Sequence, residues 1–279
     1  PRFLEDEAAQ VDSPVFVSRE NELARLDSLL KLALTGKGQV AFVIGEAGSG
    51  KTALIQEFCR QSQENVGDLC VASGNCNAYT GIGDPFLPFR EVLEMLTGDV
   101  EAKWAAGAIT ADHARRLWRT IPQAVQILVE ASQGLINTFI PGAALLERVR
   151  VYPQWPGHAE LLDQVERLIK RPPPGGTRTP GPHQSALFDQ YTSLLQAVAQ
   201  RRPLLLVVDD LQWADLGSIS YLFHLGHQLG GCRILVVGAY RREEVALASD
   251  GERHPLQAVV NEFQQIFGDI LINIDQAQG

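Results

Sequence analysis

The sequence predicts an α/β fold with a parallel sheet, because short apolar runs alternate with longer segments of helical spacing. Five runs are predicted to be strands, and they cover residues 39–44, 69–72, 203–209, 233–239 and 269–274. Near-continuous runs of Val, Ile and Leu are typical of parallel strands that are buried on both faces. Strands that alternate with helices imply right-handed crossovers between parallel neighbours.

Length and composition narrow the class of protein. The 279 residues are 45% hydrophobic, 20% charged and 7% aromatic, a balance that excludes disordered, collagen-like and coiled-coil classes. The length allows one large domain or two smaller ones. The net charge of −9 argues against a surface that coats duplex DNA, since such a surface needs clustered positive charge. We therefore expect no nucleic acid partner, although a local basic site for a small anion is compatible with this charge.

Cysteine usage and the apolar stretches bear on location. The four cysteines form no Cys-x-x-Cys pair, so neither a disulfide scaffold nor a zinc or redox motif is indicated, and a reducing cytoplasm is expected. The chain begins without a signal peptide and without Met, and we therefore expect it to be a piece of a longer protein. The stretch 121–146 carries one formal charge, but its polar residues and prolines favour a buried or partner-facing helix over a membrane span.

The long separation between the second and third strands predicts a helical insertion, because a single crossover helix needs far fewer residues. Apolar residues recur at helical spacing around 86–96, 111–133 and 158–170. A run rich in Pro and Gly over 171–182 cannot hold a helix and is typical of a connector. The predicted parts are an N-terminal tail (1–14), the first part of the core (15–80), the insertion with its connector (81–183) and the second part of the core (184–279).

A predicted phosphate-binding loop follows the first strand. The pattern G-x-x-x-x-G-K-[ST] is matched at every position by Gly45, Glu46, Ala47, Gly48, Ser49, Gly50, Lys51 and Thr52. Glycines let the backbone aim N–H groups at phosphate oxygens, and the following helix adds the partial positive charge of its N-terminus. We expect Lys51 to reach the β- and γ-phosphates and the Thr52 hydroxyl to ligate Mg²⁺. The alternative is a glycine-rich turn that binds nothing, and the strand before and helix after the loop argue against it.

The third strand ends in two carboxylates, Asp209 and Asp210. Ligands of open α/β sheets bind at the carboxyl edge of the strands, so we predict Asp209 to be the Mg²⁺ partner, through water. Asp210 is the candidate for polarising the attacking water. The alternative is that these residues only terminate the strand or cap a helix. Further along, we expect Trp213 to pack and Asp215 to cap the next helix.

Together with three further segments, these motifs resemble the STAND class of P-loop ATPases, the AAA-type domain of large LuxR-type regulators and repeat-bearing signalling ATPases. Residues 16–23 read Phe-Val-Ser-Arg-Glu-Asn-Glu-Leu, residues 209–215 read Asp-Asp-Leu-Gln-Trp-Ala-Asp, and residues 238–244 read Gly-Ala-Tyr-Arg-Arg-Glu-Glu. The resemblance implies a five-stranded parallel sheet in the order 5-1-4-3-2, with the helical insertion between strands 2 and 3.

The resemblance also implies further site residues. Arg241 would lie beside the γ-phosphate as a sensor, although a solvated charge at a strand end is the alternative. Phe16 and Val17 would flank adenine, against the alternative of ordinary core, and Arg19 would belong to the nucleotide-binding set. Ser18 departs from the family pattern, which has Gly at that position.

The function that the resemblance implies is an ATP-binding, slowly hydrolysing signalling module whose nucleotide state acts as a conformational switch. Its cofactors would be ATP or ADP with Mg²⁺. Its partners would be proteins, or C-terminal sensor or repeat domains outside this chain, with a nucleotide-dependent oligomer as a further expectation. One alternative is a nucleotide-stabilised scaffold or protein-interaction module without turnover, whose helical insertion would dock a partner. Another is an origin-recognition or helicase-loading ATPase, against which the acidic charge argues.

Overall fold

The computed structural model describes residues 19–78, 85–151, 157–170, 182–246 and 254–275. Contacts divide these residues into two compact units. The sheet unit comprises the described residues up to Val92 and from Arg202 onward, and the helical unit comprises those from Leu93 to Arg201. The sequence instead predicts boundaries between the insertion and the core at residues 81 and 184. These boundaries remain a prediction.

Five parallel strands form the sheet, and they confirm the predicted α/β fold class. They are β1 (Gln39–Ile44), β2 (Cys70–Asn75), β3 (Leu204–Asp209), β4 (Ile234–Tyr240) and β5 (Leu271–Asn273). Their spatial order is β2-β3-β4-β1-β5, which is the expected order 5-1-4-3-2 read from the opposite edge. The register pairs Ile44 with Tyr240 and Asn75 with Asp209, so the strand ends that carry the motifs meet at one edge.

Helices account for most of the remaining described residues. They are α1 (Glu20–Leu34), α2 (Lys51–Asn65), α3 (Leu87–Thr97), α4 (Glu101–Ala105), α5 (Ala111–Ala131), α6 (Gly142–Arg150), α7 (His158–Lys170), α8 (Pro182–Arg201), α9 (Leu216–His227), α10 (Arg242–Ala246) and α11 (Pro255–Phe267). The predicted helices at 86–96, 111–133 and 158–170 correspond to α3, α5 and α7. Of the predicted connector, residues 171–181 lie outside the described residues, and α8 begins at Pro182.

The core of the sheet unit explains why the strand sequences are almost wholly apolar. All seven residues of β4 are buried, as are five of the six residues in both β1 and β3. On one face, Leu26 of α1 and Leu54 and Phe58 of α2 pack into the cluster formed by the strands. On the other, the ring of Phe263 from α11 stacks on Phe42 of β1, with centroids 6.4 Å apart. Helices on both faces are what a parallel sheet requires.

The helical unit is held together by amphipathic helices. In α5 the buried residues recur at helical spacing, as Leu117, Ile121, Val125 and Leu128 show. Helix α5 begins where the hydroxyl of Thr110 accepts a hydrogen bond from the N–H of His113. Within the described residues, none of the helices combines the length and the apolar character needed to cross a membrane.

Candidate nucleotide site

The predicted phosphate-binding loop connects β1 to α2, and its glycines serve two different purposes. Gly48 and Gly50 have φ angles of +74° and +92°, a left-handed conformation that favours glycine, and a Cβ on either would meet no atom within 4 Å. At Gly45 a Cβ would lie only 2.7 Å from Ile274 Cγ1 and from Ser49 Oγ. Backbone conformation therefore requires the later glycines, and close packing against the end of β5 requires the first.

Lys51 opens helix α2 and is buried. Its Nζ donates to the carbonyl oxygens of Gly45, at 2.9 Å, and Glu46, at 2.6 Å. Burial lowers the pKa of Lys51 and the positive charge of Arg241 lowers it further, whereas nearby carboxylates, led by Asp275, raise it. The structure thus places the ammonium group inside the loop, and its reach to phosphate oxygens stays a prediction.

The two predicted magnesium ligands lie together, although they are far apart in the sequence. The Thr52 hydroxyl donates to Asp209 Oδ2 at 2.8 Å, and Asp209 Oδ1 accepts the N–H of Asp210 at 2.8 Å. A hydroxyl and a carboxylate are oxygen ligands of the kind that Mg²⁺ prefers. The donor set therefore fits a magnesium ion held by one or two protein oxygens, with phosphate and water completing its shell.

The predicted catalytic residues are joined through a side chain that the sequence argument did not single out. Asp210 has the left-handed backbone conformation, with φ +55° and ψ +41°. The buried Gln212 donates from Nε2 to Asp210 Oδ1 at 2.7 Å and accepts the N–H of Arg241 at Oε1 at 3.1 Å. The guanidinium of Arg241 forms an ion pair with Glu244, with 2.8 Å between Nη1 and Oε1.

The phosphate loop is contacted by Asp275, which follows β5, and by Arg19, which also binds the backbone after β5. Arg19 donates to the carbonyl oxygen of Ile274 and, at 3.3 Å, to that of Ser49. The carboxylate of Asp275 accepts the N–H of Glu46 at 3.0 Å. Arg19 thus contacts the backbone of the predicted loop, and Asp275 joins the site although its role was missed. The only signal for Asp275 was its place just after the fifth strand, at the same edge of the sheet.

The residues after β3 give one confirmation and one correction. Asp215 caps α9, because its Oδ1 accepts the N–H of Ser218 at 3.0 Å, as predicted. The prediction that Trp213 packs is wrong, since Trp213 is 42% exposed. A 3-10 turn over Leu211–Trp213 explains the difference, because it turns Leu211 into the core and Trp213 outward.

Two predicted site residues fall outside the part of the chain that the structure describes. These are Phe16 and Val17, the residues expected to flank adenine, and Ser18 falls outside it as well. Among the described residues, no group of three or more His, Cys, Asp or Glu side chains is arranged to hold a metal ion. The proposed magnesium site therefore depends on Thr52 and Asp209 together with the nucleotide itself.

A family model described as an AAA ATPase domain matches residues 15–237, which is more than half of the chain. The chain belongs to the AAA ATPase domain family. As an AAA ATPase domain it is a nucleotide-binding module of the P-loop type, in agreement with the loop and sheet described above.

Among solved structures, this AAA ATPase domain is similar to Cdc6p from Pyrobaculum aerophilum, with 15% sequence identity and a TM-score of 0.41. The similarity covers 94% of this chain and 48% of that chain, so the AAA ATPase domain spans about half the length of Cdc6p. No curated protein matches the chain.

Proposed function

We propose that this AAA ATPase domain is a conformational switch that binds Mg²⁺-ATP, hydrolyses it slowly and reports whether the γ-phosphate is present. The observation that supports this proposal is the meeting of the phosphate loop with Asp209 through the 2.8 Å bond from Thr52. A glycine-rich turn that binds nothing has no need for a buried lysine or for a hydroxyl held against a carboxylate from another strand.

Each residue of the loop has a task in binding. The loop N–H groups and the N-terminus of α2 would hold the phosphates, and Lys51 would exchange its bonds to the loop carbonyls for bonds to the β- and γ-phosphates. Thr52 and Asp209 would hold Mg²⁺, which neutralises charge on the phosphate oxygens when bound. Phe16 and Val17 would flank the adenine base, while Arg19 would act indirectly by holding the backbone of the loop.

Hydrolysis and sensing would fall to the second group of residues. Asp210 would orient and polarise the attacking water. Arg241 would contact the γ-phosphate, because a guanidinium suits phosphate oxygens. ATP and ADP differ only in that phosphate, so only the groups that touch it can shift a conformational equilibrium between the two nucleotide states.

The biological setting follows from the resemblance to STAND-class signalling ATPases. The nucleotide state would be read by protein partners or by sensor and repeat domains in the cytoplasm, with a nucleotide-dependent oligomer as one form of output. The acidic balance of 33 Asp and Glu against 24 Lys and Arg supports protein rather than DNA as the partner.

Single-turnover hydrolysis by the full-length protein tests the proposal, with Asp210→Asn as the diagnostic variant. Asn tolerates the left-handed backbone and keeps an oxygen for the Gln212 amide, so the variant should fold and bind ATP. Loss of the general base should slow cleavage by about a hundredfold or more. A native protein that binds ATP but cleaves none of it, under any condition of assembly, would refute hydrolysis.

A second candidate is a nucleotide-stabilised scaffold without turnover. One observation favours it: both candidate catalytic side chains are engaged by protein groups, Asp210 by Gln212 and Arg241 by Glu244. If they stay so when ATP binds, the nucleotide only stabilises the fold. The same single-turnover experiment separates the two, because a scaffold binds ATP with no cleavage in the native protein and no effect of Asp210→Asn.

A further inference from the structure

The side-chain amide of Gln212 is buried at the carboxyl edge of the sheet, and both of its polar atoms are hydrogen-bonded. The residue is 5% exposed. Its nitrogen donates to the carboxylate of Asp210, and its oxygen accepts the backbone N–H of Arg241. These two partners fix the orientation of the amide, since the reverse orientation would set N–H against N–H and oxygen against oxygen.

The backbone of Gln212 is held as well. His254, the N-cap residue of α11, hydrogen-bonds with its ring to the backbone of Gln212, and its Nδ1 accepts the N–H of Leu256 at 3.2 Å. The turn over Leu211–Trp213 is therefore held by the N-cap residue of α11 and by Arg241, the residue after β4. A side chain held on such a turn can fix its neighbour in place.

We propose that Gln212 is a positioning residue for ATP hydrolysis, which fixes the carboxylate of Asp210 relative to Arg241. The proposal rests on the proposed function. The amide binds Oδ1 of Asp210 and so leaves Oδ2 as the oxygen that meets the attacking water. The same amide accepts the N–H of Arg241, the residue after β4. Gln212 therefore sets the distance between the carboxylate of Asp210 and the backbone of the proposed sensor arginine.

A structural role alone would have a different signature. If Gln212 only satisfied buried polar groups, its replacement would lower stability, nucleotide affinity and turnover together. If it positions Asp210, the ground-state binding of ATP is preserved, because the hydrogen bonds of its amide go to Asp210 and Arg241 rather than to the phosphate loop. Only the rate of cleavage then falls. The separation of affinity from rate is therefore the decisive measurement.

The experiment compares two substitutions of Gln212 with one control in the full-length protein. Gln212→Met keeps the length of the side chain and removes both hydrogen bonds. Gln212→Glu keeps an acceptor for the N–H of Arg241 but cannot donate to Asp210, and it adds a like charge beside it. Gln63→Met is the control for replacing a buried glutamine by Met elsewhere in the sheet unit. Gln63 lies on α2, is 7% exposed, and its Nε2 has no hydrogen-bond partner among the described residues.

The measured quantities are the melting temperature, the dissociation constant for Mg²⁺-ADP and the single-turnover rate of ATP cleavage. We expect both substitutions of Gln212 to slow cleavage about tenfold or more, since small misplacements of reacting groups cost rates of that order. The dissociation constant should stay within about threefold of the native value, and Gln63→Met should leave the rate unchanged. The Glu variant decides the question if the Met variant fails to fold.

Three results would overturn parts of the argument, and they can be told apart. A rate within about twofold of native in the Gln212 variants overturns the positioning role. A joint loss of stability, affinity and rate in both variants assigns Gln212 to structure alone. Absence of cleavage by the native protein, measured before any variant, refutes the proposed hydrolysis itself and the role of Gln212 with it.

Discussion

The two halves of the candidate site are built in different ways. The phosphate-loop half lies within residues 45–52, and its internal contacts join near neighbours, as in the bond from Lys51 Nζ to the Gly45 carbonyl. The carboxylate half joins the ends of β3 and β4 through one glutamine side chain, with 3.1 Å between the Arg241 nitrogen and Gln212 Oε1. The first half is thus encoded in one short segment, whereas the second exists only when the sheet has formed.

The largest expected effect belongs to the phosphate-loop half. Lys51→Ala would remove the proposed charge-assisted hydrogen bonds to two phosphates, each worth about 1.5–3 kcal/mol, so the dissociation constant for Mg²⁺-ATP should rise by about a hundredfold or more. The fold should persist, because removing Lys51 also removes the unfavourable burial that lowers its pKa. Calorimetric titration and thermal unfolding of the unliganded variant measure the two effects. Retained affinity would contradict the assignment of the phosphate site.

Two aspartates near the end of β3 sharpen the comparison, because Asp209 is the proposed Mg²⁺ ligand whereas Asp215 caps a helix. Asp209→Asn should leave the melting temperature nearly unchanged but remove most of the Mg²⁺ dependence of ATP affinity, an effect of about tenfold or more, since it removes the charge of the proposed ligand. Asp215→Ala should do the reverse, because Asp215 caps α9 and accepts the Phe86 N–H, and Ala can do neither. That variant should lose about 1 kcal/mol of stability and keep its Mg²⁺ dependence.

Titrating ATP with and without Mg²⁺ against each variant provides the measurement. Equal loss of the Mg²⁺ effect in both variants would show that the acidity of the whole edge matters, rather than the particular carboxylate that the Thr52 hydroxyl contacts.

The difference between the halves also explains what the sequence could predict. The strand positions could be predicted from apolar runs. Both ends of β1 were predicted correctly, because a parallel strand that is buried on both faces is a continuous apolar run. The loop was read from its glycines and Lys51, since the requirement for left-handed backbone is local. The sequence did not predict roles for Gln212 and Asp275, because the role of an isolated glutamine or aspartate depends on partners that are remote in sequence. The exposure of Trp213 was missed because it depends on the 3-10 turn over Leu211–Trp213, which the sequence analysis did not predict.

A smaller effect tests how the phosphate loop is supported from outside. Arg19 donates to the carbonyl of Ser49 within the loop and to that of Ile274 after β5. Arg19→Met should raise the dissociation constant for Mg²⁺-ADP about three- to tenfold, because a loop less firmly held must be ordered by the ligand. Equilibrium binding with a fluorescent ADP analogue gives the number.

Arg25→Met is the matched control for Arg19. Arg25 also joins α1 to β5, donating to the Leu271 carbonyl at 2.9 Å and pairing with Asp269, and neither of these contacts involves the loop. Arg25→Met should lower the free energy of unfolding by about as much as Arg19→Met does, with no change in nucleotide affinity. Equal effects of the two variants on binding would mean that the link between α1 and β5, and not the contact with Ser49, supports the loop.

The smallest expected effect is a pH-dependent change in stability caused by His254, the N-cap residue of α11. Burial lowers the pKa of His254 below its ordinary value of 6.5, and the neutral ring accepts the Leu256 N–H. The unfolded chain therefore binds the proton more readily, so the stabilisation by His254 is present above about pH 6.5 and is lost as the pH falls through the lower, folded-state value. His254→Asn keeps an N-cap and does not titrate, so its stability at pH 7.5 should lie within about 0.5 kcal/mol of native. Urea unfolding between pH 7.5 and pH 5 should then show a shallower loss of stability in the variant. Identical slopes would contradict a neutral His254 in the folded protein.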